Sequence, residues 1–214
     1  MLGFEIASQI VVLFAFLFGA FKLWRKGKPL YFQIIICAIG CCVLYYLATI
    51  TMTICDVNET YFNNTFWGLL GCYALLLCAN RGATGALFEK APKKALIFGM
   101  LAGALMMVLS VIVAIFYFKV KALAFYIVLL MQVPSCFVVY FNVKHLFTPP
   151  DEQGLVKAMR LTDIFSLLFC VLNIINVACW IVLSVASGIA DLITAFSVVG
   201  LSISAVKGAE KWNS

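Results

Sequence analysis

The sequence is short of charged residues. Asp, Glu, Lys and Arg make up only 11% of its 214 residues, whereas 65% are hydrophobic. Soluble domains are about half apolar and about a quarter charged, so this composition excludes a water-soluble globular fold. The formal net charge of +6 comes from basic residues in the loops described below. We therefore predict a protein that contacts membrane lipid and does not bind nucleic acid.

Side chains for catalysis and metal binding are also scarce. His145 is the only histidine, so a zinc site built from several histidines is excluded. The nine cysteines show no CxxC pair and no zinc-finger or haem-attachment spacing. No Ser-His-Asp set can be assembled at one depth, and no glycine-rich phosphate loop is present. We predict no catalytic residues, no metal and no cofactor, which excludes the usual enzyme classes.

What the sequence does contain is a series of long apolar stretches. A helix that crosses a bilayer needs about 20 apolar residues, and the chain has room for seven such helices and little else. The predicted fold is an all-α integral membrane protein, with residues 1–214 forming a single transmembrane domain built as a seven-transmembrane-helix bundle. The approximate spans are 6–21, 31–52, 66–88, 95–118, 123–143, 163–183 and 189–206.

The basic residues predict the orientation of these spans. All but two of the 15 Lys and Arg residues lie near the ends of spans one, three and five, in the loops that follow these spans, or in the C-terminal tail. Cytoplasmic loops carry such an excess, so the N-terminus is predicted outside and the C-terminus in the cytoplasm. An odd number of crossings requires termini on opposite sides, and the predicted spans meet this requirement. The sequence does not identify the membrane.

Polar residues near the middle of spans five and six indicate a binding site. Asn173 and Asn176 lie within an apolar run, where an amide is costly unless it finds a partner or a polar cavity. Pro134 in span five removes a helix hydrogen bond and frees a carbonyl about one turn earlier. The predicted substrate-binding residues are Gln132, Pro134, Ser166, Asn173, Asn176 and Asp191. The alternative is that the amides hold helices together, each contributing only about 0.6 kcal/mol.

Three charged residues within the spans permit two interpretations each. Asp163 and Asp191 fall in the first three residues of their predicted spans, where the helix dipole and interfacial water accommodate an acid. The alternative is ion coupling, because acids inside membranes are usually functional. Arg81 and Asp163 share one predicted depth, which suggests a gating ion pair. Alternatively, Arg81 extends to lipid phosphate.

These features predict a small transporter or channel-like permeation protein for a polar solute or ion, with its site between helices 5 and 6. The alternative is a non-catalytic membrane subunit or seven-helix sensor that acts through a membrane protein partner or a homo-oligomer. The order of spans also permits an internal repeat of three helices: spans one to three and five to seven share one orientation when span four serves as a linker, an arrangement found in some transporters.

Overall fold

The computed structural model describes residues 2–24, 28–55, 62–87, 91–118, 122–149, 155–182 and 184–212. Over these residues the chain is entirely helical outside short turns, which confirms the all-α prediction. Each predicted span lies on its own helix. The helices are α1 (Leu2–Leu23), α2 (Leu30–Ile54), α3 (Phe62–Leu87), α4 (Lys93–Phe118), α5 (Ala122–Leu146), α6 (Leu155–Val182) and α7 (Ser184–Trp212).

Six of these helices, all except α3, are long and apolar enough over the described residues to cross a membrane. The chain is therefore a multi-pass membrane protein. Helix α3 has 26 residues and a length of about 39 Å, which is sufficient for a crossing. Its apolar run is interrupted by Asn80 and Arg81, so its hydropathy is lower. A seventh crossing and the N-outside orientation stay predictions.

Six helices form a closed ring in the order α1, α2, α3, α5, α6, α7 and back to α1. Helix α4 lies outside the ring against α5 and α6. The helices α1, α2 and α3 correspond to α5, α6 and α7 in their contacts. Each pair of touching helices in the ring has a counterpart under this correspondence, and the pair α2 with α7 has its counterpart in α6 with α3. This is the packing that the repeat hypothesis requires. The ring consists of two three-helix halves, α1–α3 and α5–α7.

Within each half, successive helices run in opposite directions, whereas α3 lies parallel to α5 and α7 lies parallel to α1 where the halves meet. Tyr31 near the start of α2 contacts both Asn80 near the end of α3 and Asp163 in the first half of α6. Tyr46 near the end of α2 contacts Asp191 in the first half of α7. We call the end at which α2, α4 and α6 begin the His145 end, and the opposite end, at which α1 begins, the Glu5 end.

Glycines allow the close helix contacts on which this ring depends. A Cβ atom at Gly68 of α3 would lie 2.8 Å from the backbone nitrogen of Tyr45 and 2.9 Å from the carbonyl oxygen of Cys41 on α2. Without a hydrophobic force between helices in lipid, such backbone approach supplies much of the packing energy. Helix α3 is therefore held against α2 by direct backbone packing.

Replacing Gly68 by alanine should destabilise the protein by about 1–3 kcal/mol, because the backbone of α2 has to move to admit the methyl group. Gly82 on the same helix is the matched control, since a Cβ there meets nothing within 4 Å. Gly82→Ala should leave stability unchanged or raise it by up to about 1 kcal/mol, because alanine is the better helix former. Equilibrium unfolding in mixed detergent–SDS micelles measures both. Equal effects of the two substitutions would contradict the assigned α2–α3 packing.

Two helix starts differ from the sequence prediction. Helix α6 begins at Leu155 and α7 at Ser184, so Asp163 and Asp191 lie two turns inside their helices and both are buried. The prediction that these acids occupy the first turns, within reach of interfacial water, is wrong. The first turns of α6 are amphipathic and carry Lys157, so an apolar-run criterion places the start of the helix too late.

The predicted spans leave residues 184–188 for a turn, which is also wrong, because Ser187 and Gly188 lie inside α7. A Cβ atom at Gly188 would lie 3.1 Å from the Cβ of Phe4 on α1. Gly188 therefore allows close contact between α1 and α7. The Ser-Gly pair is typical of a turn in sequence, but here the glycine serves helix packing.

Candidate functional site

A cluster of buried polar side chains lies at the His145 end and joins α2, α3, α5 and α6. The Tyr31 hydroxyl lies 3.3 Å from Asn80 Oδ1 and 3.4 Å from Asp163 Oδ1, within donating distance of both. Asn80 Nδ2 donates to Asn142 Oδ1 over 2.8 Å, and Asn142 Nδ2 donates to Ser166 Oγ over 2.9 Å. All five residues are buried. Since each bond crosses between helices, the cluster fixes this end of the ring.

Asp163 is the acid at the centre of this cluster. His145 Nδ1 lies 3.3 Å from Asp163 Oδ1, and both side chains are fully buried. The opposite orientation of the Asn142 amide is an alternative to the one described above: its nitrogen then donates to the same Asp163 oxygen over 3.3 Å, and its oxygen accepts from Ser166 Oγ. Asp163 Oδ2 has no hydrogen-bond partner within the described part of the chain. The carboxylate therefore has capacity to accept a further proton, cation or donor.

A second buried cluster lies at the Glu5 end and joins α1, α2, α6 and α7. Asn176 Nδ2 donates to Asp191 Oδ1 over 2.5 Å, and the Tyr46 hydroxyl donates to the Asp191 carbonyl over 3.4 Å. Glu5 is also buried and lies close enough for its charge to act on Asp191. Two carboxylates in proximity repel each other, and a shared proton or a bound cation removes that repulsion.

Two amides occupy the interior between these clusters. Gln132 Oε1 accepts a hydrogen bond from Ser135 over 2.8 Å, whereas Gln132 Nε2 and Asn173 Oδ1 have no hydrogen-bond partner among the described residues. Asn142 of α5 bonds to Ser166 of α6, and the two helices run in opposite directions. Gln132 and Asn173 lie ten and seven residues from that bond toward the Glu5 end, so their depths differ by only about 5 Å. One offers a donor and the other an acceptor.

A layer of thiols and aromatic rings separates the amides from the His145 end. The Sγ atoms of Cys42 and Cys72 lie 3.3 Å apart. The rings of Tyr73 and Phe169 have centroids 5.8 Å apart, and the Tyr73 hydroxyl has no hydrogen-bond partner within the described residues. These side chains pack together where α2, α3 and α6 meet, and they include one more buried polar atom.

The structure divides the predicted substrate-binding residues among these levels. Asn176 and Asp191 bond to each other at the Glu5 end, while Ser166 belongs to the cluster at the His145 end. Gln132 and Asn173 occupy the middle. Pro134 is half-buried within α5, which continues as a helix past it. Binding of a solute by this set stays a prediction.

Arg81 and Asp163, the predicted gating pair, have other neighbours in the structure. Arg81 is exposed, and its charge acts on Lys144 of α5. Asp163 instead has the His145 ring nitrogen Nδ1 within 3.3 Å. A gating role for Arg81 therefore stays a prediction without a contact that supports it.

Sequence reasoning missed several residues of the two clusters, namely Glu5, Tyr31, Asn80, Asn142 and His145. Most of them lie at the edges of the apolar runs, where hydropathy predicts the end of a span. A signal for two of them exists, because Gln132, Asn142 and His145 fall within about 140° of one another on a helix. Continuing the polar face of span five past its apolar run would have identified Asn142 and His145.

The fold and the clusters define a helical multi-pass membrane protein with a polar interior between two three-helix halves. No family model, no curated protein and no solved structure matches the chain.

Proposed function

We propose that this chain is a membrane transporter or channel-like permeation protein for a small polar solute or ion, with its solute bound between α5 and α6. The observation that carries the proposal is the pair of unsatisfied groups at similar depth, Gln132 Nε2 and Asn173 Oδ1. Buried polar atoms are normally hydrogen-bonded. A solute with both a donor and an acceptor, such as a hydroxyl or an amide compound, would satisfy both groups at once.

The arrangement of the two clusters supports alternating access. At the His145 end, Tyr31 and Asn80 of one half contact Asp163 and Asn142 of the other half. At the Glu5 end, Tyr46 of the first half contacts Asp191 of the second. Rocking of one half against the other would break one cluster while the other remains closed, as in transporters built from repeats. Both clusters are formed in the conformation described here, which we interpret as an occluded state.

Helix α6 supplies the route between the two ends. Asp163, Ser166, Asn173 and Asn176 are all at most 3% exposed and span about 20 Å along the helix axis. That distance is about two thirds of the hydrocarbon thickness of a bilayer. Ser166 and, on α7, Asp191 line the route near its two ends. The carboxylates at both ends favour a neutral or cationic solute over an anion.

Solute flux into proteoliposomes tests the proposal. The purified protein should accelerate permeation of at least one of glycerol, glucose, urea, K⁺ and H⁺, measured by stopped-flow scattering or by entrapped indicator dyes. The double substitution Gln132→Leu and Asn173→Leu should reduce that flux about fivefold to tenfold, because each lost hydrogen bond contributes about 0.6 kcal/mol or more to binding.

The matched control places conservative changes on the outer faces of the same helices. Val133 and Ile175 are 38% and 48% exposed, so Val133→Leu with Ile175→Leu should keep the wild-type flux. Flux that survives the double leucine substitution at Gln132 and Asn173, in protein of unchanged thermal stability, would contradict the proposed site. If none of the five probes permeates, the transport proposal fails, and the partner-dependent subunit or sensor becomes the better hypothesis.

A further inference from the structure

A large apolar groove lies on the outside of the ring, between α3 and α4, with α5 as its floor. Its volume is about 1020 Å³, and its lining includes Leu77, Met100, Ala104, Met107 and Phe137. Helix α4 packs on α5 and α6, and α3 packs on α2, α5 and α6. The groove therefore opens toward the surroundings of the bundle and is separate from the interior route.

Small residues explain why the groove exists. A Cβ atom at Gly99 would lie 2.9 Å from the carbonyl oxygen of Tyr140, and one at Gly103 would lie 3.2 Å from that of Cys136. Helix α4 therefore sits directly on the backbone of α5. Gly103 and the neighbouring Ala104 offer little side-chain volume toward α3, so the space beside α4 is left open.

The groove has an apolar body and a basic mouth. Arg81 lines it at the His145 end and is exposed. Lys144 of α5 lies close enough to Arg81 for the two positive charges to interact. Lys93 and Lys94 are exposed at the start of α4, at the same end of the bundle. Helices α3, α4 and α5 contain no acid, and Glu89, in the segment between α3 and α4, lies outside the described residues. An anion at the mouth would relieve the repulsion between Arg81 and Lys144.

We propose that this groove binds an anionic phospholipid, with an acyl chain along the groove and the phosphate at Arg81. A guanidinium group matches phosphate geometry with two parallel hydrogen bonds. The lining residues of α4 from Met100 to Met107 extend about 10 Å along the helix, which accommodates the upper part of an acyl chain. The basic end is the predicted cytoplasmic side, where anionic lipids attract Lys and Arg.

Native mass spectrometry of the detergent-purified protein tests the proposal, with phosphatidylglycerol and phosphatidylcholine of identical chains as probes. The wild type should bind phosphatidylglycerol about fivefold more tightly than phosphatidylcholine, the preference expected from one basic side chain. Arg81→Gln should abolish the preference, and Arg81→Lys should retain part of it. Ala104→Trp should weaken binding of both lipids, because the indole fills the groove. Lys207→Gln, at an exposed position of α7, should change nothing.

A second measurement locates the bound lipid. Cys78 is exposed on the groove wall, so phosphatidylglycerol should slow its modification by N-ethylmaleimide in a Cys55→Ser background. A preference that persists in Arg81→Gln, or a Cys78 thiol that the lipid does not protect, would overturn the proposal. Equal competition by glycerol 3-phosphate would show a plain anion site instead, and conversion of a dimer to a monomer by Ala104→Trp would show that the groove binds a second copy. Both results would also overturn it.

Discussion

Replacing Asp163 by leucine should lower the free energy of unfolding by about 3 kcal/mol. The substitution removes the acceptor that the structure places next to His145 Nδ1 and the Tyr31 hydroxyl, and both partners are buried. Breaking a buried pair by removing one partner typically costs about 3–5 kcal/mol. This exceeds the average of about 0.6 kcal/mol for a single hydrogen bond between membrane helices, because one carboxylate here serves partners on two other helices, α2 and α5.

A double-mutant cycle separates this pair from general packing. Asp163→Leu, His145→Leu and the double variant are compared with wild type by equilibrium unfolding in mixed detergent–SDS micelles. The double variant should be less destabilised than the sum of the single variants, since removing both partners leaves neither group stranded. Ile164→Val, at an exposed neighbouring position of α6, is the control and should cost less than about 1 kcal/mol. Additive effects of the two leucines would show that the contact does not stabilise the protein.

Hydropathy predicts the helices well and their first turns poorly. Apolar run length located a segment of every helix, because each segment in hydrocarbon must satisfy its own backbone hydrogen bonds. It placed the start of α6 about eight residues late, since the residues from Leu155 mix charged and apolar side chains. Asp163 moved from a tolerated first-turn position to a buried one as a consequence. An error of two turns in the start of α6 thus changes the interpretation of Asp163.

The polar interior was predictable in part. Gln132, Asn173 and Asn176 were identified because an amide inside an apolar run is costly without a partner. Their partners were not predictable, since Asn176 bonds to Asp191 on α7 and Asn142 bonds to Asn80 across 62 residues of sequence. Such pairs depend on which helices are neighbours, and the order of helices in the ring is not contained in the hydropathy of any one helix.

Single cysteines along α6 should react with a water-soluble, charged thiol reagent in a pattern set by helix face. Cysteine at Ser166 or Asn173, which face the interior, should be modified on the order of a hundredfold faster than cysteine at Leu168 or Ile175. The latter positions are 41% and 48% exposed on the outer surface of the bundle. In a membrane that surface contacts lipid, where neither water nor an ionised thiolate is available for the reaction.

The pattern of thiol modification distinguishes a water-filled route from a packed core. Residues on the two faces of α6 lie at the same depths in the membrane, so a difference in rate between the faces reports access to water. In a background without other cysteines, alternation of rapid and slow modification every three to four residues would mean that water reaches the interior when either end cluster opens. The Asp163→Leu substitution should then raise the rate at Ser166, since it weakens the cluster that closes the His145 end. Protection at Ser166 and Asn173 alike, with modification only near the ends of α6, would make the amides structural. The transport proposal would then give way to a subunit or sensor that acts through a partner protein.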